Sequence, residues 1–109
     1  MNEVRSSARR VVVIGGGVSG LAAAHRLAEL NAREASARGD DSASVEVLLL
    51  EASPRLGGAV RTERREGFLL EGGPDSFISE KPAALELAKR LGLSERLIGT
   101  NEEHRRSFV

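Results

Sequence analysis

The chain has 109 residues, 40% of them hydrophobic and 29% charged, with 16 basic and 16 acidic side chains that cancel. That length and composition fit one small globular domain, and a neutral chain carries no electrostatic footprint for nucleic acid. With no cysteine and only His25 and His104 as imidazoles, disulfides, thiolate catalysis and thiolate metal sites are excluded, and no metal site is expected.

Met1 to Arg10 is polar and Val11 to Ala24 apolar and small, an arrangement that imitates a secretory signal. Gly15, Gly16 and Gly17 interrupt the apolar run, and it continues into the amphipathic His25-Arg26-Leu27-Ala28-Glu29-Leu30, which argues against that reading. No run is long enough to span a bilayer as a helix.

Val11-Val12-Val13-Ile14 is β-branched, bounded by glycine, and reads as a buried strand. Val18 to Arg38 reads as a helix with Leu21, Ala24, Leu27 and Ala28 at helical spacing and Gly39 as its C-terminal cap. After the polar loop 40–44, Val45 to Leu50 reads as a second buried strand ending at Glu51. Strand, helix and strand make one βαβ unit with parallel strands. The loop from Ala52 to Gly58 leads into a hairpin of Ala59–Glu63 and Phe68–Glu71, turning at Arg65-Glu66-Gly67. Ser79 is expected to cap a helix that takes Pro82 in its first turn, runs to Leu91 and ends at Gly92. A short helix follows from Ser94 to Ile98, and a strand begins near Ser107. The fold class is therefore α/β, a Rossmann-like dinucleotide-binding βαβ unit followed by a hairpin and helices. Residues 1–109 are expected to form the N-terminal part of such a domain, with too few parallel strands and too few aromatics to close a core.

Gly15-Gly16-Gly17-Val18-Ser19-Gly20 fits G-x-G-x-x-G, placed after a strand and at the opening of a helix as the motif requires. Gly15 permits the tight turn, Gly17 lets bare backbone approach a pyrophosphate, and Gly20 lets the helix pack closely. The helix N-terminus supplies free N–H groups to the phosphates. Glu51, at the end of the second strand, can accept both hydroxyls of an adenosine ribose, and an acid there repels a 2′-phosphate, which argues against NADP.

The loop after Glu51 and Ala52 carries Arg55-Leu56-Gly57-Gly58-Ala59-Val60-Arg61-Thr62. It resembles the arginine and glycine-doublet motif R-x-G-G-x-x-x-[ST] of the amine oxidase superfamily of flavoproteins. The resemblance implies FAD rather than NAD, with Gly57 and Gly58 along the pyrophosphate and ribityl chain and Arg55 neutralising phosphate charge. Many members carry arginine where this chain has Ala59. Gly73-Pro74-Asp75-Ser76, within Glu71 to Phe77, resembles the family's second loop, which approaches the flavin ring.

Taken together, 11–30, 47–62 and 67–79 are most similar to the protoporphyrinogen oxidase branch. That resemblance implies oxidation of protoporphyrinogen IX to protoporphyrin IX in haem synthesis, with oxygen as acceptor and hydrogen peroxide released. It implies a cytoplasmic protein, able to associate peripherally with a membrane through a substrate domain not in this sequence. Arg106 falls near the place where the family sets an arginine against a substrate propionate; a solvated surface arginine is the plainer alternative. No general base is evident. Two other readings stay open: the same segment of another amine-oxidase-like flavoenzyme, and an inactive truncated chain. The 109 residues alone are expected not to catalyse and to hold FAD weakly.

Overall fold

The computed structural model describes residues 9–39, 45–101 and 103. The chain forms two compact units, Met1–Asp75 and Ser76–Val109.

The first unit is built on the βαβ motif. Strand β1 (Arg9–Ile14) pairs in parallel with β2 (Val45–Leu50), Val11 opposite Val47 and Ile14 opposite Leu50. Helix α1 (Val18–Arg38) connects them. Strand side chains alternate across the sheet, so Val11, Val13, Val47 and Leu49 are half-buried on one face while Val12, Ile14, Leu48 and Leu50 are exposed on the other. Helix α1 packs on both strands. Parallel sheets are ordinarily covered on both faces; here Ile14 is 85% exposed, as expected of too few helices for two faces.

Helix α1 ends as its sequence indicates. Gly39 adopts a left-handed conformation, φ 66°, and its N–H bonds back to Ser36 O at 3.2 Å. Its inward stripe differs from expectation at one place: Ala28 is exposed, and Asn31 continues the half-buried line instead. The reason lies at the start of β2. Asn31 Nδ2 donates to Val45 O at 2.9 Å, and Val45 N–H donates to Asn31 Oδ1 at 3.2 Å. One amide side chain satisfies both backbone groups of the strand's first residue, as an adjoining strand would.

The hairpin is shifted from the expected one. Strand β3 is Thr62–Arg65 rather than Ala59–Glu63, and it pairs antiparallel with β4 (Phe68–Glu71). The turn is the two residues Glu66 and Gly67, with φ 52° and 83°. Positive φ at both centres is what a tight hairpin turn matched to strand twist requires, and it sets Arg65 opposite Phe68. Residues ahead of Thr62 are drawn off into the loop described below.

In the second unit, helix α2 is Pro82–Arg90. Its N-cap is Lys81, not Ser79, because proline forces its predecessor into extended backbone, here φ −95°, ψ 111°. Gly92 follows with φ 69°. The helix expected from Ser94 to Ile98 is one 3₁₀ turn, η1 (Ser94–Arg96), after which Leu97 is extended; so few residues cannot sustain an α-helical nucleus. The expected strand near Ser107 and the loop 40–44 lie outside the described residues.

Replacing Asn31 with leucine keeps the shape but strands two backbone groups of Val45. The Asn31→Leu variant should be less stable by about 1–3 kcal/mol, the cost of an unsatisfied half-buried polar group, read as a lower urea midpoint at unchanged m-value.

Candidate functional site

Two loops meet at the carboxyl end of the parallel sheet. The first leaves β1. Gly15 N–H donates to Leu50 O at 2.8 Å, extending the ladder one residue, and φ of 100° then turns the chain. Gly17 is the N-cap of α1, and no side chain caps it; no acid lies in the first turn. The first-turn N–H groups and the positive end of the helix are thus left for an external anion. A Cβ on Gly20 would stand 1.9 Å from Gly15 O, so its bareness is demanded by the packing of helix against loop. A Cβ on Gly16 would meet Leu56 Cδ2 at 2.5 Å. Gly17 differs: its nearest neighbour would be Gly58 Cα at 4.0 Å, an ordinary contact. Among the described residues nothing forbids a side chain at Gly17, which fits a place kept open for a ligand.

The second loop leaves β2 through Glu51. Gly57 N–H donates to Gly16 O at 2.8 Å, and Gly17 and Gly57 form a parallel bridge. A Cβ on Gly58 would stand 3.0 Å from Gly17 Cα. Both doublet glycines have positive φ, 105° and 57°, which side-chain-bearing residues rarely adopt. The two glycine segments read separately in the sequence are therefore one backbone-on-backbone assembly.

Glu51 fastens it. Its half-buried carboxylate accepts from Gly16 N–H at 2.6 Å on Oε2 and from Ser53 N–H at 2.8 Å on Oε1. Those bonds to the charged form, Ser53 first and Gly16 second, lower its pKa from 4.5 to about 2. Beside the ribose contact expected of it, this carboxylate ties the first loop to the second. A carboxylate has about four acceptor positions, so capacity for hydroxyl donors remains.

Arg55, expected to face phosphate, donates to three carbonyls of its own loop: Leu56 O at 3.1 Å, Val60 O at 3.0 Å, and Gly58 O. Ser53 Oγ donates to Arg55 O at 2.7 Å. Ser53 and Leu56 are contributors that the sequence reading missed; the signal available was the short polar spacing Glu51-x-Ser53-x-Arg55. The third expected segment joins the same assembly at Gly73, where a Cβ would stand 1.8 Å from Ala59 O, while Gly72 N–H donates to Arg61 O at 2.7 Å. Pro74 and Asp75 follow at the end of the first unit, and Ser76 opens the second. Val18 and Ser19 are exposed at the helix start, and Ala52 is exposed beside Glu51. Arg106 lies outside the described residues. Among the described residues no cluster of side chains could hold a metal ion, and no helix is long and apolar enough to cross a membrane.

The fold and this paired-loop site define a Rossmann-like dinucleotide-binding unit. Residues 18–109 match the family of flavin containing amine oxidoreductases, and the chain belongs to that family. It is 42% identical to a coproporphyrinogen III oxidase of Bacillus subtilis (strain 168) over 90 residues, 83% of this chain and 18% of that one. A solved structure of a putative protoporphyrinogen oxidase from Exiguobacterium sp. 255-15 superposes with a TM-score of 0.62 at 40% identity, covering 82% of this chain and 17% of that one. An L-amino-acid oxidase of Sistrurus catenatus edwardsii is 38% identical over 88 residues, 81% of this chain and 14% of that one. The chain thus spans less than a fifth of the length of each of these proteins.

The Glu51 bonds make a pH-dependent contribution. A carboxyl whose folded pKa is depressed stabilises fully above its unfolded value and loses that contribution as pH falls through the folded one, here from 4.5 toward about 2. In urea unfolding, wild type should exceed Glu51→Gln in stability most above pH 4.5, the gap closing toward pH 2. A gap independent of pH would show that the ionised carboxylate holds nothing.

Proposed function

We propose that this chain is the FAD-binding opening of a porphyrinogen oxidase. The observation that carries the reading is the joining of Gly16 and Gly17 to Gly57 and Gly58 beside an uncapped helix N-terminus. A nicotinamide dehydrogenase needs the first glycine loop; the second, locked against it by backbone bonds, is what the longer FAD molecule uses. In this reading, the N–H groups at Gly17, Val18 and Ser19 receive the pyrophosphate, with Gly15 and Gly20 shaping the turn. Glu51 and Ala52 border the adenosine ribose. Gly57, Gly58 and Ala59 follow the chain toward the flavin, and Gly73, Pro74 and Asp75 border its ring. FAD, when bound, supplies the redox chemistry, taking hydride equivalents from the macrocycle and passing electrons to oxygen. The protein's own part here is to bind and orient it.

The resemblance of the sequence favours protoporphyrinogen IX as substrate. The name of the Bacillus relative favours a second reading, coproporphyrinogen III, which carries propionates where protoporphyrinogen carries vinyl groups. The match to an L-amino-acid oxidase over 81% of this chain supports placing substrate choice outside these residues.

The whole protein should bind FAD more tightly than NAD and show a flavin absorbance spectrum; tighter NAD binding would defeat the reading. Supplied with each porphyrinogen in air, it should generate porphyrin fluorescence from one of them. Two alanine variants separate ligand from packing. Gly20→Ala should lower the melting temperature of the protein without cofactor, because its methyl collides with Gly15 O. Gly17→Ala should melt near wild type yet bind FAD at least about tenfold more weakly, since even a small misfit at a charge-assisted contact costs that much. Equal FAD affinity in wild type and Gly17→Ala would remove the pyrophosphate from that position.

A further inference from the structure

We propose that Arg55 is a positioning residue, whose guanidinium holds the 56–60 loop in shape for the pyrophosphate instead of serving as the phosphates' own charge partner. The proposal rests on the cofactor reading above and deepens it.

The geometry leads to it step by step. A guanidinium offers five N–H donors in a planar fork and no acceptor. In Arg55, Nη1 spends its donors on Leu56 O and Val60 O at 3.1 and 3.0 Å, and Nη2 bonds Gly58 O. Three carbonyls of five consecutive residues thus converge on one side chain. Left free near a pyrophosphate, those oxygens would repel it; gathered on a cation, they are turned to a different use. The same convergence explains the conformation of the loop. Gly57 and Gly58 both have positive φ, which costs little for glycine but is not self-sustaining. A Cβ on Gly57 would stand 3.1 Å from Val60 O and 3.2 Å from Arg55 Nη1, so the fork packs directly over that bare backbone.

Arg55 is itself held. Its carbonyl accepts from Ser53 Oγ at 2.7 Å, and Ser53 N–H donates to the Glu51 carboxylate that also takes Gly16 N–H. The loop then returns to the start through Gly57 N–H on Gly16 O. From Gly16 through Glu51, Ser53 and Arg55 to the Leu56–Gly57 peptide, whose carbonyl accepts from Arg55 and whose N–H donates to Gly16 O, the bonds form a closed circuit around the place where the two glycine segments touch. Such a circuit is complete without any ligand, which means the ordering cost of the loop is met before binding.

A lysine keeps the charge of Arg55 but not its fork, and that difference decides the matter. In the whole protein, Arg55→Lys and Arg55→Gln should both weaken FAD about tenfold or more, the scale of losing hydrogen bonds to a charged group, and by similar factors. The factor should be the same at low and high salt, because screening weakens ion pairs and not loop geometry. Without FAD, both variants should speed hydrogen exchange at the Gly57 and Val60 amides, which bond Gly16 O and Gly57 O. Ser53→Ala, a milder change that leaves every charge in place, should weaken FAD by a smaller factor and speed the same amides.

Near-wild-type affinity in Arg55→Lys would overturn the proposal. So would an Arg55→Gln defect that fades with salt while exchange at Gly57 and Val60 stays slow; Arg55 would then be a phosphate charge partner. If wild type takes up no FAD, the cofactor reading falls, and the exchange measurement still decides whether Arg55 holds the loop.

Discussion

Where Gly16 and Gly17 lie against Gly57 and Gly58, two stretches of polypeptide touch with no side chain between them. Such an approach leaves no room for a Cβ on Gly58, which would stand 3.0 Å from Gly17 Cα, and brings backbone polar groups into a place where each needs a partner. The Gly57 N–H finds Gly16 O, and the Gly16 N–H finds Glu51. Much of the first unit can be understood as making this contact hold. The parallel strands bring both loops to the same sheet end, Gly20 lets α1 close on Gly15, and Asn31 secures the start of β2 so that its far end emerges in register.

The polar residues at the site do two kinds of work. Glu51 stands at the sheet end and bonds the two loops together; its ionised form is favoured by the N–H groups that surround it. Arg55 concentrates positive charge beneath a loop whose own carbonyls it absorbs. A site built this way presents N–H groups and helix dipole to an anion while the carbonyls of Leu56, Gly58 and Val60 are already taken.

The same segment serves enzymes that act on very different molecules, as the likeness to both porphyrinogen and amino-acid oxidases indicates. The physical basis visible in this chain is that the two loops meet backbone to backbone, and backbone geometry depends on glycine placement more than on side-chain chemistry. The exposed face of the sheet belongs to the same logic. Val12, Ile14, Leu48 and Leu50 are apolar on a side that α1 does not reach, the pattern of a sheet made for layers on both faces.

Local residue chemistry was enough to read the βαβ unit, both glycine motifs, the terminal acid and the Gly39 cap, because each depends on short-range periodicity or on a conformation that one residue type permits. The extent of β2 and of α1 was legible for that reason. Elements that depend on competition between neighbours were not: β3 begins at Thr62 because a tight turn at Glu66-Gly67 sets its pairing, and α2 is capped at Lys81 because Pro82 constrains it. What only the tertiary structure decided was partnership at long range. Asn31 reaches a strand 14 residues on, and Gly16 meets Glu51 at a separation of 35. A sequence shows which side chains can donate and accept; which of them meet is set by where the folded backbone brings them.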